Sequence, residues 1–100
     1  MISGYLIEAF FLDANHHPVY SENYYVIISD RSEAQAALKK LLLTRRYYDE
    51  RSPMRILSEL DDEFADRNGF VQGEIYISEL VRNRLQLRRL IPPALSLIHI

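Results

Sequence analysis

The chain has 100 residues, enough for one buried core and too few for two. Its 48% hydrophobic and 26% charged residues, with three glycines and four prolines, exclude a disordered or low-complexity chain. A net charge of -2 gives no field that would draw the whole protein to nucleic acid or an acidic membrane, and the lack of cysteine excludes disulfides, thiolate metal sites and cysteine nucleophiles.

Residues 5–12 (YLIEAFFL) are rich in β-branched and aromatic side chains and end at a cluster of turn formers, Asp13-Ala14-Asn15-His16-His17-Pro18, which predicts a strand and then a loop. Glu8 in the middle of this run, and the absence of a basic segment before it, argue against a signal peptide. No window approaches the roughly 18 to 20 apolar residues of a membrane helix. The expected compartment is the cytoplasm. Residues 19–28 (VYSENYYVII) have the same strand composition, so the two runs are expected to form an antiparallel hairpin. Both faces of that hairpin carry apolar groups. Tyr5, Ile7, Ala9 and Phe11 alternate on one side of its first strand, and Leu6, Phe10 and Leu12 surround Glu8 on the other.

Asp30 followed by Glu33 predicts the start of a helix. Ala34, Ala37, Leu38, Leu41, Leu42, Arg45 and Tyr48 then recur at helical spacing, with an end expected near Asp49. Ser52-Pro53 reads as the opening of a second helix, with Ile56, Leu57, Leu60 and Phe64 as its core stripe and Asn68-Gly69 as its close. Residues 70–77 (FVQGEIYI) return to strand character. Residues 79–91 are read as a strand, with Val81, Leu85, Leu87 and Ile91 on one face and Arg82, Arg84, Gln86 and Arg88 on the other; the alternative is a helix capped by Ser78. The expectation is an α+β domain in which a small antiparallel sheet packs against two helices, in the order β-β-α-α-β(-β).

The last six residues, Leu95 to Ile100, resemble the translation of a transposon-end adapter used in preparing DNA sequencing libraries. The resemblance implies a single domain over residues 1–94 whose own C-terminus has been cut off, and a non-native tail over 95–100 that carries no functional argument.

No motif of catalytic, metal or cofactor chemistry stands out, so no catalytic residue, metal ligand or cofactor is assigned. His16 and His17, beside Asp13 and Asn15, begin like a calcium loop, yet Pro18 and Tyr24 occupy the places of its glycine and final glutamate. Glu59, Asp62, Glu63 and Asp66 would share one face of the second helix, which supports a metal-dependent enzyme as the third reading. A second reading is a small nucleic-acid-binding factor, because Arg45 and Arg46 adjoin Tyr47 and Tyr48, and Arg82, Arg84 and Arg88 form another group. The leading reading is a non-catalytic protein-interaction or regulatory module of bacterial or phage type, self-associating or binding another protein. It rests on Leu43, Tyr47 and Ala36, placed opposite the core stripe of the first helix, and on Leu6 and Phe10 of the hairpin's second face.

Overall fold

The two alternating apolar runs and the polar loop between them dictate the centre of the molecule. In the computed structural model, which describes residues 1–81 and 84–90 and, for 79–81 and 84–87, the backbone path alone, they are β1 (Ile2–Leu12) and β2 (Pro18–Val26). The pair is antiparallel, with Tyr5 opposite Val26 and Phe11 opposite Tyr20. The connecting loop is closed by Asp13, whose carboxylate accepts the backbone N–H groups of His17 and Asn15. Those bonds, the one from His17 foremost, hold its carboxyl below the usual carboxylate range.

Next in the chain are α1 (Arg31–Leu42), β3 (Met54–Asp61), α2 (Asp62–Arg67), β4 (Ile75–Val81) and β5 (Arg84–Leu90). The described strands form one five-stranded sheet in the order β3-β1-β2-β4-β5, every neighbouring pair antiparallel. The α+β class and the two helices agree with the expected order, into which one strand is inserted between the helices.

That strand is the main departure from the sequence reading. Residues 54–61 are not the first half of a helix, because the open edge of β1 offers a ladder there, with Ile7 opposite Ile56 and Leu6 opposite Ser58. Leu57 falls between those two pairs in a bulge and is exposed, so it is not the core residue its helical spacing suggested. Ser52-Pro53, read as a helix start, closes a turn instead: the Ser52 hydroxyl accepts from the Asp49 N–H, and the Pro53 carbonyl accepts from Phe10. The second helix begins at Asp61, whose carboxylate accepts the Phe64 N–H. It ends where Asn68-Gly69 predicted. Gly69 has φ +67°, with bonds from Gly69 N–H to the Asp66 carbonyl and from Phe70 N–H to the Ala65 carbonyl.

The first helix starts at its predicted cap, Asp30 accepting from Glu33 N–H, and stops earlier than Asp49. The Thr44 hydroxyl bonds back to the Leu41 carbonyl, and Arg45 N–H to that of Leu42. The chain then turns through Tyr47 at φ +68°, whose carbonyl accepts the Leu12 N–H. The turn delivers Tyr48 edge-on to Phe11, at 5.5 Å between ring centres. Tyr48 is therefore buried as its place in the stripe required, by a turn and not by a helix. The late strand also differs: residues 70–74 form a loop, and β4 starts at Ile75. Residues 79–91 are strand over their described part, as read, but not one strand: β4 ends at Val81 and β5 starts at Arg84, and the two pair antiparallel with Leu80 opposite Leu85, while Arg82 and Ile91 lie outside the described residues.

Each face of the sheet carries a cluster of buried residues. On one, Tyr5, Ile7, Ala9, Phe11, Tyr24 and Val26 meet Ala34, Leu38, Leu41 and Leu42 of α1. On the other, Ile27, Leu60, Phe70 and Tyr76 join Leu6, Tyr25, Phe64 and Ala65 beneath α2. Aromatic rings dominate this second face, with Phe70 at 4.5 Å from Tyr76 and 5.4 Å from Tyr25.

Gly4 is the tightest point of the sheet. A Cβ there would collide with the Val26 carbonyl oxygen and come within 2.9 Å of the Ile27 Cα, both backbone atoms that cannot swing aside. Gly4→Ala is expected to cost about 2–4 kcal/mol in denaturant unfolding, and a loss below about 0.5 kcal/mol would show that the strands separate without penalty. The Tyr48 hydroxyl, by contrast, is buried with no hydrogen-bond partner among the described residues. Burial also raises its pKa. Tyr48→Phe should leave stability unchanged or raise it by about 1 kcal/mol, and a clear destabilisation would mean that the hydroxyl is satisfied in solution.

Candidate interaction surface

The residues singled out from the sequence fall on two opposite sides of the sheet. On the α1 side, Ala36 is exposed, Leu43 is 38% exposed and Tyr47 is 44% exposed. On the α2 side, Leu6 is half-buried against the second core and Phe10 is half-buried beneath the Arg55 guanidinium, 5.9 Å from its ring centre. Leu6 and Phe10 therefore do not extend the surface that Ala36, Leu43 and Tyr47 begin. Nor do Leu43 and Tyr47 lie on one helical stripe, because α1 ends at Leu42 with Leu43 as its cap. Tyr47 reaches solvent through the left-handed turn.

That turn gives Tyr47 its setting. Its ring carries the Arg46 guanidinium at 4.9 Å, and with Leu12, Asp13, Ala14, Tyr48 and Asp49 it lines a shallow groove of about 280 Å³. Next to this region Tyr20, 40% exposed, stacks on Phe11 at 4.6 Å. Sequence reading placed Tyr20 in the hairpin without marking it as surface, although its alternation with Tyr24 and Val26 on β2 puts it on the α1 side.

The basic groups are largely engaged with acidic ones. Arg45 pairs with Glu22 at 3.3 Å and lies over the Phe11 ring at 5.6 Å. Glu22 in turn accepts from the buried Tyr24 hydroxyl at 2.8 Å, and burial, reinforced by that carboxylate, pushes the Tyr24 pKa far up. Lys39 pairs with Glu50, Arg67 with Glu63 and Arg89 with Glu74. Arg55 bonds Glu8, whose carboxylate also accepts from Ser21. The Ser21 and Arg55 bonds together keep the Glu8 carboxyl below its usual range. Arg88 lies exposed on β5. Arg84 is in the same strand, its side chain outside the description, and Arg82 lies outside the described residues.

The acidic set is divided as well. Glu59 is on β3, opposite Tyr5, while Asp62, Glu63 and Asp66 are on α2, so the one-helix carboxylate face does not form. Among the described residues no group of three or more His, Asp or Glu side chains converges as metal ligands would. His16 instead turns its ring towards Asp49, at 3.9 Å, and Arg51, at 3.1 Å. A second groove, of about 330 Å³, is lined by Leu6, Tyr25, Leu60, Asp61 and Phe64 among others, and it belongs to the packing of α2 on the sheet. Among the described residues no helix is long and apolar enough to cross a membrane. Compared with known proteins, the chain matches no family model, no curated protein and no solved structure.

Proposed function

We propose that this chain is a non-catalytic protein-interaction or regulatory module, which self-associates or binds another protein through the α1 side of the sheet. The observation that supports this reading is Tyr47. A bulky residue in the left-handed region at φ +68° is uncommon and costs on the order of 1–3 kcal/mol, and here it holds an aromatic ring 44% exposed at the lip of a groove. Exposed aromatic anchors of this type carry a large share of binding energy in protein contacts. Leu43, at the adjoining end of α1, adds an exposed apolar side chain.

The nucleic-acid reading draws its support from the Arg46 guanidinium over Tyr47, an arrangement able to meet a phosphate and a base. It ranks second because Arg45, which that reading also needs, is held by Glu22 and Phe11.

Replacing Leu43 and Tyr47 together with lysine separates a contact surface from an ordinary solvated one. The double variant should keep its melting temperature to within a few degrees, since neither side chain belongs to the core, and should lose association. The wild type is expected to sediment as a dimer, or to bind a protein partner, at micromolar concentration, and the variant as a folded monomer that binds none. A wild type that neither associates nor binds a partner which the variant fails to bind would contradict the proposal. So would a variant that unfolds.

A further inference from the structure

The solvent face of α1 is self-complementary. Its exposed positions include Ser32, Glu33, Ala36, Lys40 and the cap residue Leu43. At the helical spacing of about 100° per residue, Ala36 lies at the middle of this face with Leu43 nearly in line two turns on, while Glu33 and Lys40 run along one flank. The neighbouring Lys39 is taken by Glu50 at 2.7 Å. Glu33 and Lys40 form no ion pair among the described residues, although opposite charges nearby would stabilise both.

We propose that α1 pairs with α1 of a second copy, antiparallel about a two-fold axis beside Ala36, so that Glu33 of each copy faces Lys40 of the other. This rests on the reading of the α1 side as a protein contact, and it names the partner. Three features favour a second copy. An isologous contact needs one patch that complements itself, and Glu33 and Lys40 lie at equal distances on either side of the Ala36–Ala37 midpoint. A small residue at the crossing lets the backbones approach. Antiparallel helices also set each N-terminal dipole end beside the other's C-terminal end, where Lys40 already lies. In this pairing Leu43 of each copy is covered by the first turn of the other helix. Because α1 has only 12 residues, about 18 Å of length, the contact is small and the dimer weak, dissociating in the micromolar range.

Charge reversal with reconstitution tests the pairing. Glu33→Lys and Lys40→Glu are made separately, shown by circular dichroism to be folded, and examined by sedimentation equilibrium alone and as an equimolar mixture. Each reversal alone sets like charges against each other at both contacts and should weaken self-association by roughly tenfold or more. In the mixed dimer the lysine introduced by one substitution faces the glutamate introduced by the other, and the unaltered Glu33 and Lys40 face each other across the second contact. Association between the two variants should therefore return to within about twofold of the wild type. Wild-type dimers indifferent to the single reversals would overturn the α1 pairing while leaving self-association through another surface. Single variants that weaken association without rescue in the mixture would also overturn it. A wild type that stays monomeric would do the same, and the broader reading would then stand only if the Leu43 and Tyr47 surface binds a different protein.

Discussion

A strand that is apolar on both faces cannot leave either face in water, and β1 is such a strand. Ile7, Ala9 and Phe11 on one side and Leu6 and Phe10 on the other each need cover, and fully burying such a side chain contributes about 1.5–3 kcal/mol. The described elements around it supply that cover in part. α1 lies over the first face, while the short α2 with Phe70 and Tyr76 lies over one end of the second. The rest of the second face carries a polar lattice open to solvent, in which Glu8 accepts from Ser21 and Arg55 and the Arg55 guanidinium lies over Phe10. With only six residues, α2 could not do this with aliphatic side chains alone, which accounts for the concentration of rings around Tyr25.

The parts of this fold that local chemistry determines were legible in the sequence. The hairpin follows from composition and the turn cluster, the start of α1 from Asp30, and the end of α2 from Asn68-Gly69, where a left-handed residue is needed. Residues 52–61 were misread because the decisive influence on them is distant. Ser52-Pro53 and the spacing of Ile56, Leu60 and Phe64 suit a helix, but the vacant ladder edge of β1, far away in sequence, draws them into a strand. The bulge at Leu57 then shifts the alternation, so that Ile56 packs towards α1 and Leu60 towards α2. Both side chains are inward in either reading, and for this reason their spacing did not expose the error.

The surface was legible residue by residue and not as a whole. Ala36, Leu43 and Tyr47 are exposed as expected, yet Leu6 and Phe10 turn out to face the other way. Strand alternation assigns sides correctly, but it cannot say which side a helix will take, and that choice divided the expected surface in two. The turn at Tyr47 had no local signal, because Thr44-Arg45-Arg46 contains no residue that ends a helix strongly. What ends it is tertiary: the Leu12 N–H needs the Tyr47 carbonyl, and Phe11 needs Tyr48 against its edge. The same turn that completes the core therefore presents the aromatic ring at the surface, which ties the proposed contact to the fold.

β1 depends on cover from both sides, the second face no less than the first. Native-state hydrogen exchange on Phe64→Ala tests this dependence most directly, since Phe64 packs in the second cluster, its ring 6.1 Å from that of Tyr25 and 6.0 Å from that of Phe70, and is not among the residues of the first. The amides of Ile7, Tyr24 and Val26, whose side chains are buried on the opposite face, are expected to be among the slowest and to lose about 2 kcal/mol of opening free energy along with the molecule as a whole. Amides of β1 and β2 that keep their protection to within about 0.5 kcal/mol, while only α2 opens, would show that the first face sustains the sheet alone and would contradict that dependence.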